Sequence, residues 1–203
     1  MRFAQLLATP GVHEESVLRS TFGFMAFHGG NLERVTDDIA RTAAQRSGSS
    51  YYGVIQDYPL REHLPSIEVN PRSSPVLAAF VAHVDIVIAI HGYGRDGLWT
   101  SILLGGTNRE LASVVAQVLI PMLPSYTILD DLEAIPKELR GLHPQNPVNL
   151  PRLGGVQIEL PPRIRGLTPQ AASMERIDGR IAPTNEFISA LVEVVDQWNA
   201  TGA

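Results

Sequence analysis

Phe24-Met25-Ala26-Phe27-His28-Gly29-Gly30-Asn31-Leu32-Glu33 runs from an unbroken apolar stretch into a histidine, two glycines and a turn. Residues 22–28 read as a buried strand. Asn31 reads as the cap of a following helix, where Leu32, Val35, Ile39 and Ala43 recur at helical spacing to about Arg46. Ser47-Gly48-Ser49-Ser50 ends that helix, and Tyr51-Tyr52-Gly53-Val54-Ile55 reads as the next strand. Strand, helix and strand in this order make a βαβ unit, which predicts parallel pairing and a right-handed crossover.

The same alternation continues outward. Residues 57–75 hold four prolines among scattered charges and read as a long surface loop. Pro75 to Ala82 reads as a helix with proline in its first turn. Val84 to Ile90 is rich in β-branched residues and reads as a central strand buried on both faces. Ser101–Leu104, Tyr126–Leu129 and Val156–Leu160 read as further strands. Asn108 to about Leu123 and the stretch from Thr184 onward read as amphipathic helices. Residues 133–152 are loop-rich. The expectation is an α/β fold: a single domain over 1–203, with a mixed, mostly parallel sheet and helices on both faces.

The bulk numbers narrow the function. Hydrophobic residues make up 44% of the chain and charged residues 18%, which supports a packed core over a disordered chain. A formal net charge of -5 argues against nucleic-acid binding, and no basic block marks a membrane surface. The chain has no cysteine, so disulfides and thiolates are excluded and any metal must sit on histidine and carboxylate. The apolar start, Met1 to Ala8, is soon broken by Pro10, His13, Glu14 and Glu15, which does not read as a signal peptide. The expected location is cytoplasmic, with release from a phage or bacterium compatible with it.

Chemistry concentrates at strand ends. His28 ends the first strand, with Glu33 placed in the first turn of the next helix beyond two glycines that let the backbone bend. His91 ends the Val87-Ile88-Ala89-Ile90 run and again precedes a glycine. A single histidine in such a place is more often structural; two at matching strand ends with a carboxylate nearby are a catalytic zinc composition. Glu159 follows Val156 and Ile158, is read as sharing their face, and becomes a candidate general base, with a salt-bridged carboxylate as the plain alternative. Arg95, Arg152, Arg163 and Arg165 lie near these runs and suggest an anionic substrate. His13, His63, His83 and His143 have no comparable setting.

His28-Gly29-Gly30-Asn31-Leu32-Glu33 resembles the HGGxIE signature of the poly-γ-glutamate hydrolase family. Ile90-His91-Gly92 is similar to that family's second histidine motif, and Leu104-Gly105-Gly106 to its glycine pair. Asn146, Asn149 and Arg152, ahead of Gly155-Val156-Gln157-Ile158-Glu159-Leu160, resemble its N-x-x-x-R and GVQLE segment. The resemblance spans about residues 22–166. It departs in 57–75 and in the insertion Gly94-Arg95-Asp96-Gly97. The resemblance implies a zinc-carboxypeptidase-like fold, zinc on His28, Glu33 and His91, and Glu159 as the catalytic carboxylate. It implies hydrolysis of γ-glutamyl amide bonds in an anionic polymer or peptide. Arg152, which matches a family motif, and Arg95, which closely follows a proposed ligand, are the candidate substrate-binding residues. The alternatives are a non-enzymatic module that binds an acidic ligand and a peptidase for γ-linked cell-wall peptides.

Overall fold

The opening run forms a strand at the middle of a seven-stranded sheet. The structure, a computed structural model, describes residues 2–200; Met1 and residues 201–203 of the expected 1–203 domain lie outside the described residues. Chain order is α1 (Phe3–Leu7), β1 (Val12–Val17), β2 (Phe22–Gly30), α2 (Thr36–Ser47), β3 (Ser50–Gln56), α3 (Pro75–His83), β4 (Ile86–Gly92), β5 (Ser101–Gly105), α4 (Arg109–Met122), β6 (Thr127–Leu129), β7 (Gly155–Leu160), β8 (Arg176–Ile177), β9 (Arg180–Ile181) and α5 (Ala182–Ala200).

Strand order across the sheet is β1-β3-β2-β4-β7-β5-β6. β2 pairs in parallel with β3 and β4, β4 with β7, and β5 with β6. β1 against β3 and β5 against β7 are antiparallel. The architecture is thus α/β with a mixed, mostly parallel sheet. β2, β4 and β7 are almost wholly buried because each sheet face carries its own helical layer. On one face Phe24, Ile88 and Val156 pack with residues of α2, α4 and α5. On the other, Met25, Val87 and Ala89 pack with Phe3 and Leu6 of α1 and Leu77 and Phe80 of α3. Odd and even positions of one strand therefore feed two separate cores.

Four local features depart from the sequence reading. α2 begins at Thr36, not at Asn31, and its N-cap Val35 has φ 80. A β-branched residue in that left-handed region costs about 1–3 kcal/mol, so the surrounding contacts must hold the turn in place. β1 and α1 were not anticipated. β1 reads His13-Glu14-Glu15-Ser16 at its centre and lies at the sheet edge, where charge protects an unpaired strand and no apolar signal is needed. The β8–β9 hairpin, absent from the sequence reading, turns on Asp178 and Gly179, both at positive φ, an Asp-Gly pair suited to a two-residue hairpin loop. The 57–75 segment is a loop as expected, with 3₁₀ turns at Ser66–Glu68 and Pro71–Ser73. No helix among the described residues is long and apolar enough to cross a membrane.

Candidate metal centre

β2, β4 and β7 are neighbours in the sheet, and their carboxyl ends deliver His28, His91 and Glu159 to one place. Strand alternation alone would send His28 to the face of Phe24 and Ala26. A register shift between Ala26 and Gly29 breaks that alternation. The His28 ring instead lies 5.0 Å from the rings of both Phe27 and His91.

Glu33 reaches the same place by a tight return of the chain. Its backbone N–H donates to the His28 carbonyl at 2.9 Å, and Asn31 N–H donates to the Gln56 carbonyl at 2.7 Å. Gly30, at φ 68, passes so close to β3 that a Cβ there would strike the Gln56 carbonyl oxygen. Glu33 thus belongs to the turn before α2, and its carboxylate is not held by a first helical turn. Asn31 does not cap α2; its side chain donates to the Leu60 carbonyl.

The Glu33 carboxylate then divides its oxygens between the two rings. Oε1 lies 3.0 Å from His28 Nδ1, and Oε2 lies 3.2 Å from His91 Nδ1. Oε2 also accepts the Gly92 N–H at 2.9 Å. One ligand atom from each of the three residues lies within 4.8 Å of the others. His28 Nε2 lies 2.9 Å from the Leu64 carbonyl, which can only accept. The proton therefore sits on Nε2, leaving Nδ1 with a lone pair facing a carboxylate oxygen. Two acceptors at that distance need a second proton or a cation between them. An imidazole whose other nitrogen donates to a carbonyl is also the usual arrangement behind a metal ligand. His91 Nε2 is buried without a partner among the described residues. Two imidazoles and a carboxylate on one point form a donor set that fits zinc.

The electrostatics follow from burial and proximity. Burial would push the Glu33 carboxyl up, but His91 and His28 outweigh it and hold it well below the ordinary carboxylate range. Burial opposes charge on His91, yet Glu33 and Glu159 keep its pKa above the ordinary imidazole value. Glu159 is 4% exposed, and burial pushes its pKa up to about 7 against the pull of His91. Its Oε1 accepts from Gln157 Nε2 at 2.9 Å, and Gln157 Oε1 accepts from Asn146 Nδ2 at 2.8 Å. Glu159 is the register partner of His91 and lies on the face opposite Val156 and Ile158, which correct the expected shared face.

These groups form the floor of a cleft of about 890 Å³. One wall is the stretch from His63 to Ile67 and the other runs from Lys137 to His143. His63 and His143, set aside in the sequence, both line it; the His63 ring is tilted against His28 at 5.2 Å. Leu64 and His63 come from the long 57–75 loop, where no local pattern marks them.

The arginines separate. Arg152 pairs with Asp85, just before the start of β4 and thus at the strand end remote from His91. It does not line the cleft. Arg95 does not line the cleft itself; it forms an exposed ion pair with Glu138, which does. Arg163 lies over the Tyr126 ring in a second cleft. Arg165 is the buried one, donating to the Arg34 and Tyr93 carbonyls at 3.1 and 3.2 Å beneath Gly92.

A family model described as poly-gamma-glutamate hydrolase matches residues 4–190, and the chain belongs to that family. No curated protein matches. The fold is similar to that of a bacteriophage poly-gamma-glutamate hydrolase, with TM-score 0.78 and 19% identity over 94% of this chain and 91% of that one. It is also similar to zinc-free apo YNDL, with TM-score 0.73 and 21% identity over 93% and 91%. A more distant likeness is to an N-acetylmuramoyl-L-alanine amidase from Clostridium difficile 630, with TM-score 0.52 and 12% identity over 91% and 100%.

Proposed function

We propose that this member of the poly-γ-glutamate hydrolase family is a zinc-dependent hydrolase of γ-glutamyl amide bonds, acting as one domain on an anionic polymer or peptide. The observation that carries the reading is the split carboxylate of Glu33, with one oxygen on each of two histidine Nδ1 atoms at 3.0 and 3.2 Å. His28, Glu33 and His91 would hold the metal. Bound zinc supplies Lewis acidity toward the scissile carbonyl and toward the attacking water.

The rest of the chemistry falls to the chain itself. Leu64 fixes the His28 tautomer, and Gly92 N–H and the two rings hold Glu33 ionised. Glu159, with its pKa near 7, takes a proton from the attacking water and returns it to the leaving amine. Gln157 holds Glu159 Oε1, and Asn146 holds Gln157, so the base is oriented through a buried amide chain. The second carboxylate oxygen remains for the water.

The test pairs metal analysis with turnover of poly-γ-glutamate. The expected result is one zinc per chain, loss of turnover on chelation, and recovery with zinc. His91→Ala should lose both metal and turnover. Turnover that survives complete removal of metal would overturn the reading.

A further inference from the structure

The sequence holds 16 basic residues, and Lys137 is its only lysine. It stands at the start of the 137–143 wall, exposed and lining the cleft. Among the described residues its ammonium has no hydrogen-bond or ion-pair partner. Arg140 and His143 line the same wall. His143 Nδ1 accepts the Gln145 N–H at 3.1 Å, which leaves its Nε2 carrying a proton to donate. The facing wall, from His63 to Ile67, presents no Lys or Arg to the cleft.

This wall is firmly seated. Gly106 N–H donates to the Arg140 carbonyl at 2.8 Å, and a Cβ on Gly105 would strike that carbonyl. The Asn149 side chain donates to the Gly141 and His143 carbonyls at 2.7 and 3.0 Å. The Arg140 guanidinium donates to the Ile135 carbonyl at 2.8 Å and to the Glu133 carboxylate at 3.2 Å, and Glu138 is tied to Arg95. The glycine pair and Asn149 are thus the seat of a cationic wall.

Charge makes the asymmetry meaningful. The chain has a formal net charge of -5, and Glu33 and Glu159 line the cleft floor, where neither offers a substrate carboxylate a grip. A chain bearing one free carboxylate per residue needs cations on the side where those carboxylates point. The wall supplies them on one side alone.

We propose that the 137–143 wall, with Lys137 as its unpaired cation and His143 as a neighbouring donor, reads the free α-carboxylates of the γ-linked substrate and sets the direction in which the chain lies. This rests on the γ-glutamyl hydrolase reading. It moves the carboxylate grip away from Arg152 and leaves Arg95 a positioning role through Glu138.

The unique lysine makes the test direct. An amine-selective acetylating reagent is applied to the zinc-loaded Glu159→Gln protein, which holds polymer without cutting it, and Lys137 modification is followed by peptide mass spectrometry. Poly-γ-glutamate should slow that modification, and its methyl ester should not. In the otherwise unaltered enzyme, Lys137→Ala should raise KM for the polymer roughly two- to fivefold, the range of one exposed ion pair, with kcat retained. Lys137→Arg should restore KM, Lys137→Glu should raise it further, and the effect should shrink with salt. Arg163→Ala, which removes the same charge from the second cleft, should leave KM unchanged. An unprotected Lys137, or equal KM effects from Arg163→Ala and Lys137→Ala, overturns the wall while wild-type turnover still upholds the hydrolase reading. Absence of both polymer binding and polymer turnover in the zinc-loaded protein overturns the two together.

Discussion

Glu159→Gln separates the catalytic value of this carboxylate from its structural cost. The side chain is 4% exposed and its pKa is pushed from 4.5 to about 7, chiefly by burial. A carboxyl whose pKa rises on folding gives stability that is full below the unfolded value and lost as pH climbs through the folded one. For a rise from 4.5 to about 7, at roughly 1.36 kcal/mol per pH unit, the loss is on the order of 3 kcal/mol by pH 8 and under about 1 kcal/mol at pH 5. Glutamine removes that loss while its Oε1 can still accept the Gln157 amide. The metal-free variant should therefore melt above metal-free wild type at pH 8, by roughly 6–12 °C for a chain of this size, and the gap should close toward pH 5. In the zinc-loaded protein the same substitution should keep metal content and cut turnover by about 10²–10⁴-fold, the usual value of a general base. Calorimetry at the two pH values and a polymer-cleavage assay read both halves. A melting gap independent of pH refutes the buried-carboxylate argument, and undiminished turnover removes Glu159 from the mechanism.

Gly92→Ala should be costly although the residue carries no reactive group. Its Cβ would meet the Arg165 guanidinium, which is committed to the Arg34 and Tyr93 carbonyls, so about 1–3 kcal/mol of stability should be lost; an unchanged melting temperature would show that Arg165 moves freely. Arg152→Ala removes an exposed pair with Asp85 and should cost no more than about 1 kcal/mol, with KM for polymer unchanged; a large rise in KM would return Arg152 to substrate binding.

What the sequence made legible was periodic. The Phe22–His28 and Val87–Ile90 runs announce buried strands because parallel strands between two helical layers are apolar on both faces. Their ends mark the site because parallel strands release their chains on one edge of the sheet. What stayed hidden was set by long-range contacts. Nothing in His63-Leu64-Pro65 says that the middle residue's carbonyl will hold a histidine 36 positions earlier. Nothing near Arg152 says that Asp85 will claim it. Proximity in sequence put four arginines beside the motifs, yet an arginine is recruited to a cleft only if no nearer carboxylate satisfies it. By that rule the chain's one lysine, unremarked among the motifs, is the better candidate, because no carboxylate among the described residues pairs with it.

Glu33 shows the same division within one motif. The spacing from His28 is readable, and the glycines between them imply a sharp bend. The helical turn expected to carry the carboxylate is absent, because Val35 takes a left-handed conformation and delays α2 to Thr36. That delay frees Glu33 from helical geometry. Its carboxylate can then lie between β2 and β4 and touch both rings, where a residue fixed in the first turn of α2 would be bound to the helix's own direction. The strained valine and the two glycines are thus parts of one device. The glycines let the chain approach β3, and the valine sets the angle at which α2 leaves the site. The candidate ligand set is recognisable in sequence as composition, while its geometry resides in a backbone conformation that no residue type in the motif announces.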